Sequence, residues 1–210
     1  MQMHRTFAAV LTAALLVTLV GFSTGIAAHP KPSAVPTRPE LTFEPGELRL
    51  RQSERDGKWY WYMTYEVSNY TGKDRIWAPT FILFTDRGDL LESGRGVRRE
   101  IPEEFIAYLG DEMLETQHQM IGDLRQGEGN KRTGLIVWPA PNLDVNELSV
   151  FTSGISSETA VIKHPVTGKD QILQKTLMRE YLISGDATAL GDAPVGLHPD
   201  VDRAPRWIFR

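Results

Sequence analysis

The sequence contains no cysteine. Its absence excludes disulfides, thiol nucleophiles, thiolate zinc sites and cysteine-ligated iron–sulfur clusters. Small exported domains that rely on disulfides show several cysteines, so this chain must be held by its core alone. At 210 residues it is long enough to do so, burying roughly 70% of its unfolded surface. An excess of positive charge is missing too. The formal net charge is −4, which argues against a general electrostatic hold on nucleic acid or anionic lipid. The basic cluster "GRGVRRE" (residues 94–100) is short and ends in an acid.

The common catalytic signatures are absent as well. There is no G-x-S-x-G elbow, S-x-x-K, H-E-x-x-H or phosphate-binding G-x-x-x-x-G-K-[ST]. Residues 94–96, "GRG", lack the third glycine and the strand–helix–strand frame of a dinucleotide site. The histidines beyond the first 27 residues are His29, His118, His164 and His198, and none pairs with another at metal-ligand spacing. His118 has Glu115 one turn before it, a weak acid–base or metal pairing for which a solvated helix face is the simpler reading. His164 and His198 each precede proline, where an extended turn is expected. No cofactor and no metal are expected.

What is present begins with an export signal. Arg5 precedes the apolar run "FAAVLTAALLVTLVGF" (7–22), and the small residues of "STGIAA" follow. Cleavage after Ala27 places Gly25 and Ala27 at the −3 and −1 positions; Ala28 is a close alternative. The competing reading is an uncleaved anchor, since the run is nearly long enough to span a bilayer. Without cysteine this is not a lipoprotein signal, and the lone Arg5 excludes a twin-arginine one. The domain plan is a signal peptide over 1–27, a proline-rich spacer over 28–46 (Pro30, Pro32, Pro36, Pro39, Pro45) and one domain over 47–210.

The domain reads as strands. "ELRLRQ" (47–52), the aromatic run from Trp59, "RIWAPTFILFTD" (75–86), "LLES", "RTGLIVWP" (132–139), "ELSVFTSG" (147–154), "ETAVIKH" (158–164) and "QILQKTLMREYLI" (171–183) are separated by glycine-bearing turns. "RWIFR" is a final strand after an irregular tail. The segment 101–124 breaks the pattern: Phe105, Ile106, Leu109, Met113, Met120, Ile121 and Leu124 recur at three- and four-residue steps. Two short helices bending near Gly110 are expected there, docked on the strands.

Within "WYWYMTYEVS" (59–68), strand alternation puts Trp59, Trp61, Met63, Tyr65 and Val67 on one face and Tyr60, Tyr62, Thr64, Glu66 and Ser68 on the other. The first face is uniformly large and apolar, as a core requires. Tyr60 and Tyr62 are the candidate binding residues, placed on an outer sheet face where two rings would stack a glycan or peptide. Carboxylates cluster at Asp86 and Asp89, at Glu103 and Glu104, and at Asp111 and Glu112; a glycosidase would need two of them facing each other, and calcium would need an oxygen-rich alternation that is missing. "RGD" (87–89) coincides with an expected turn rather than marking an adhesion site. "NYT" (69–71) is a formal N-glycosylation acceptor.

The order of elements, with Asn69, Asp86, Gly127, Glu128, Pro139, Leu148 and Phe151 at strand ends and turns, resembles the Ig-like module of many exported bacterial proteins, over about half of the chain left after cleavage. The resemblance implies an Ig-like β-sandwich with no catalytic residues to carry over, and it does not account for 101–124 or for the strands after residue 158. The expectation is therefore a mainly β, antiparallel Ig-like β-sandwich with a short helical insertion (about 101–124). Its role is that of an exported, non-enzymatic binding or structural module, periplasmic or extracellular, from a bacterial source. The partner would be an unknown protein or glycan of the envelope, with no nucleic acid and no stable membrane insertion after cleavage. The alternatives are a carbohydrate-binding module using Tyr60 and Tyr62, and a carboxylate-based hydrolase around the insertion.

Overall fold

The computed structural model describes residues 29–33 and 35–210. The export-signal reading falls outside that range. The described chain is mainly β, with sheets dominated by antiparallel pairs and two α-helices. In chain order these are β1 (Thr42–Gln52), β2 (Trp59–Ser68), β3 (Arg75–Trp77), β4 (Thr80–Thr85), β5 (Leu90–Glu92), α1 (Glu100–Leu109), β6 (Leu114–Thr116) and α2 (Gln117–Met120). There follow β7 (Gly122–Leu124), β8 (Arg132–Pro139), β9 (Glu147–Ser153), β10 (Thr159–Lys163), β11 (Asp170–Leu182), β12 (Gly196–Leu197) and β13 (Arg206–Phe209). None of the described helices is long and apolar enough to cross a membrane.

Four strands form one sheet in the order β1-β2-β8-β6, in which only β6 runs parallel to its neighbour. A second sheet runs β10-β11-β9-β4-β5, with β12 and β13 also on β11. Leu177 pairs with Thr152 of β9 and with Trp207 of β13, so those strands flank β11 on opposite sides. Gln174 exchanges backbone hydrogen bonds with Arg210 and pairs with Thr159, which puts β10 on the β9 side, further along the same edge of β11.

The aromatic row facing inward from β2 behaves as its alternation demands. Trp61, Met63, Tyr65 and Val67 are buried in one cluster with Leu48 and Leu50 of β1, Ile136 and Trp138 of β8, and Phe81, Leu83, Leu148, Val150 and Tyr181 of the second sheet. Both sheets therefore contribute to a single core. Tyr65 lies opposite Gly134, and a Cβ on Gly134 would come within 2.6 Å of the Tyr65 ring; the glycine makes room for the aromatic. The Tyr65 hydroxyl accepts from Trp77 Nε1 at 3.2 Å, and burial pushes its pKa up to about 12.

Two boundaries differ from expectation. Residues 75–86 are not one strand. Pro79, which has no N–H to give a ladder, falls between β3 and β4, and β3 leaves the second sheet to pair with β7. Strand β1 begins at Thr42, so the last part of the proline-rich stretch is already paired, with a bulge between Pro45 and Leu48. Pro45 is tolerated because β1 is an edge strand.

Upstream of β1, Glu40 bridges to Ser156 and its carboxylate lies 2.7 Å from the buried Lys175 ammonium, which also reaches Glu158 at 3.3 Å. Burial alone would lower the Lys175 pKa. The two carboxylates outweigh it and hold the ammonium above its ordinary value.

Candidate functional site

Segment 101–124 holds two helices, as expected, of unequal length: the ten-residue α1 and the single-turn α2. Glu100 and Glu103 sit in the first turn of α1, where carboxylates suit the positive end of the helix dipole. Gly110 ends the helix with φ 66°, its N–H bonded to the Ile106 carbonyl. Beyond it the chain forms β6, the single turn α2 and β7. The apolar repeat accordingly does not continue around one face: Met113 is 74% exposed and Ile121 50%.

Helix α1 covers the second face of β2. Ile101 and Phe105 point down from it, and Phe105 meets Tyr60 and Tyr62 edge-on at 6.1 and 5.3 Å between ring centres. Tyr60 and Tyr62 are only 2% and 3% exposed. Their expected placement on an outer face is thus corrected. With Leu114, Leu135 and Val137 they form a second apolar cluster beneath the helix. The reason is tertiary: alternation says which face a residue is on, but not whether a helix lands on that face. The Tyr60 hydroxyl donates to Asp56 at 2.8 Å. Burial, then that bond, pushes its pKa up to about 12. Burial works against ionisation of Asp56, but the Lys58 amide and the Tyr60 hydroxyl still hold its carboxyl below the usual range. Tyr62 also reaches the wall of a shallow hollow with Arg49 and Tyr108.

The other sequence candidates are engaged in local structure. Asn69, 0% exposed, donates to the Leu124 carbonyl at 2.8 Å and to the Lys73 carbonyl at 3.0 Å. Its Oδ1 accepts from Thr71 and from Gln126, so the formal glycosylation acceptor is a buried joint between β2 and the β3–β7 ribbon. In "RGD", Arg87 is held by Asp144, donating to its carbonyl at 2.6 Å, and Asp89 closes a turn on Thr85. Asp86 accepts from the Asn146 amide at 3.2 Å and Asp111 from the Met113 amide at 2.9 Å. Glu104 accepts from Ser53 Oγ at 2.7 Å and the Glu54 amide at 2.8 Å, tying α1 to the β1–β2 turn. Glu115 is taken by Arg132, whose Nε lies 3.0 Å from it, so Glu115 is committed away from His118. Among the described residues no three His, Asp or Glu side chains form a group able to hold a metal ion.

What sequence reasoning missed is the space beside α1. The helix roofs β2, and beside it, above the buried Leu114, Leu135 and Val137, its flank borders a hollow. A groove of about 570 Å³ remains there, within the size range of small-molecule sites. Its floor is Leu114, Leu135 and Val137. One wall is the α1 face bearing Pro102, Ile106 and Ala107, and the other is the short stretch Thr116–Gln119. Val97, Arg98 and Arg99 bound the end near the start of α1. Arg99 lies 3.6 Å from Glu103, the one carboxylate of the lining. Arg98 makes no ion pair among the described residues. In the opposite wall the Gln117 Oε1 is buried without a hydrogen-bond partner among the protein's own groups. Hollows of comparable volume elsewhere are lined largely by charged and polar chains. Ile106 belongs to the apolar repeat visible in the sequence, but nothing there showed that Pro102 and Ala107 would join it in the wall of a groove.

No family model, no curated protein and no solved structure matches the chain.

Proposed function

We propose that this protein is an exported, non-enzymatic binding module of the cell envelope or extracellular space, with the groove between α1 and β8 as its ligand seat. The observation that carries the reading is the groove of about 570 Å³ beside α1, walled by Val97, Pro102, Ile106 and Ala107 above the buried Leu114, Leu135 and Val137. Export rests on the apolar run and small-residue end of the first 27 residues.

The scaffold is inferred to be an Ig-like β-sandwich. Supporting this, strands β1, β2 and β8 share one sheet while β5, β4, β9 and β11 are neighbours in the other. That is the A-B-E and C′-C-F-G division of such folds, and α1 lies in the chain where strand D would. A shared cluster fed by both sheets supports the same reading.

The test has two arms. Fractionation of cells carrying an epitope-tagged full chain should recover the protein outside the cytoplasm, shortened at its N-terminus. The purified domain should raise the fluorescence of the neutral probe N-phenyl-1-naphthylamine, and Ala107→Trp, which fills the groove mouth from an exposed helix position, should abolish the rise. A cytoplasmic full-length chain would overturn the export reading; absence of probe binding, or binding indifferent to Ala107→Trp, would overturn the seat.

A further inference from the structure

Resting on the groove as a ligand seat, we infer that its ligand is a small amphipathic carboxylate, free and monomeric in solution, carrying a hydrogen-bond donor on its apolar body. Three features of the lining specify this chemistry. The floor and the α1 wall are hydrocarbon: Leu114, Leu135, Val137, Ile106, Ala107 and the Pro102 ring. Such a surface takes an alkyl or flat apolar body, and each methylene transferred from water tightens binding roughly fourfold while room remains.

The second feature is charge. The mouth carries two guanidinium groups and one carboxylate. Arg99 and Glu103 lie 3.6 Å apart, one turn apart on α1. Arg98 lies at the end of the trough and makes no ion pair among the described residues, in a protein whose formal net charge is −4. A guanidinium presents a planar fork that fits a carboxylate with two parallel hydrogen bonds, which favours a carboxylate over a neutral head and disfavours an ammonium. Asp56 lies within electrostatic reach of Arg98 without forming an ion pair with it, and its carboxylate is bonded to the Lys58 amide and the Tyr60 hydroxyl, so a ligand carboxylate has the Arg98 fork to itself.

The third feature is the Gln117 oxygen, buried in the opposite wall without a hydrogen-bond partner among the protein's own groups. An apolar chain passing it would leave it unpaired, whereas a hydroxyl or amide N–H on the ligand satisfies it. A head at Arg98, a body along Pro102, Ile106 and Ala107 and a donor toward Gln117 together describe an acid that is more than a plain fatty chain.

The experiment is displacement of N-phenyl-1-naphthylamine from the full domain by octanoate, decanoate, 3-hydroxydecanoate, decanol and decylammonium, all below their critical micelle concentrations. Decanoate should displace the probe more strongly than octanoate, and roughly tenfold more strongly than decanol or decylammonium. 3-Hydroxydecanoate should exceed decanoate several-fold. Arg98→Gln should bring decanoate and decanol together, and Gln117→Leu should erase the advantage of the hydroxy acid while leaving decanoate unaffected. Arg98 is exposed at the groove end and Gln117 is half-buried in its wall, and unchanged melting temperatures of the two variants separate lost recognition from lost folding. If the probe binds in an Ala107→Trp-sensitive way but carboxylates are no better than decanol, the anion inference fails and the seat stands. If the probe does not bind at all, the seat fails and the inference with it. Co-sedimentation with phosphatidylglycerol vesicles without displacement by any free acid would replace a soluble ligand with a membrane surface and overturn the inference.

Discussion

Strand β2 supplies two apolar clusters from its two faces, and they end differently. On one face Trp61, Met63 and Tyr65 meet the second sheet and are sealed. On the other, Tyr60 and Tyr62 meet a ten-residue helix. A sheet covers a sheet over its whole width; a helix about 10 Å across covers only two neighbouring strands. The groove lies beside α1, above β8 residues Leu135 and Val137 that are themselves buried. One cluster is therefore built for stability, while the other combines stability with an open flank.

The largest effect that would test this division is in the sealed cluster. Trp61→Ala should cost about 4 kcal/mol, read as a lower denaturation midpoint in urea, because the surrounding sheets cannot collapse into the void. Phe105→Ala should cost about 3 kcal/mol, since the open flank lets the helix settle; it should also expose Tyr60 and Tyr62 to acrylamide or iodide quenching and abolish probe binding. A loss from Phe105→Ala larger than that from Trp61→Ala would reverse the ranking of the two clusters. Gly134→Ala should cost about 2 kcal/mol by forcing the Tyr65 ring aside in a packed core.

Alkaline titration compares the two faces through one residue type. Tyr60 and Tyr65 both have folded-state pKa values of about 12 against 10.0 for the free side chain. In the unfolded chain they ionise first, so the stability they contribute is fully present below pH 10 and is lost as pH rises through about 12. Urea midpoints measured across that window should fall for the wild type and fall less steeply for Tyr60→Phe. The smallest effect is expected of Ala107→Trp. At an exposed helix position it should change stability by no more than about 0.5 kcal/mol while removing groove binding, which would separate the open flank from the fold.

Much of the architecture was readable from residue order. The alternation from Trp59 to Val67 marks the core face, and β8 lies at the predicted residues 132–139. The turns after β1 and β4 fall where glycine and aspartate cluster. The helix from Glu100 was readable from its acidic first turn and its end at Gly110. The errors have a common origin. Pro79 splits the expected strand 75–86, because β3 finds a partner in β7, far away in sequence. The expected second helix shrinks to one turn, because Leu114–Thr116 pairs with β8. Tyr60 and Tyr62 are covered by α1. Asn69 is a buried joint because Leu124 and Gln126 arrive beside it.

By itself the amino-acid order determined the periodicities: which residues alternate, where proline and glycine interrupt, and that a chain without cysteine must fold on its apolar surface. Those properties depend on local backbone geometry and are carried by each segment alone. Only the tertiary structure decided which apolar faces are sealed, which polar side chains are used up as joints, and that a groove remains along the flank of α1. That outcome depends on where a helix of fixed width lands on a wider sheet, a matter of long-range packing that no single stretch of sequence contains.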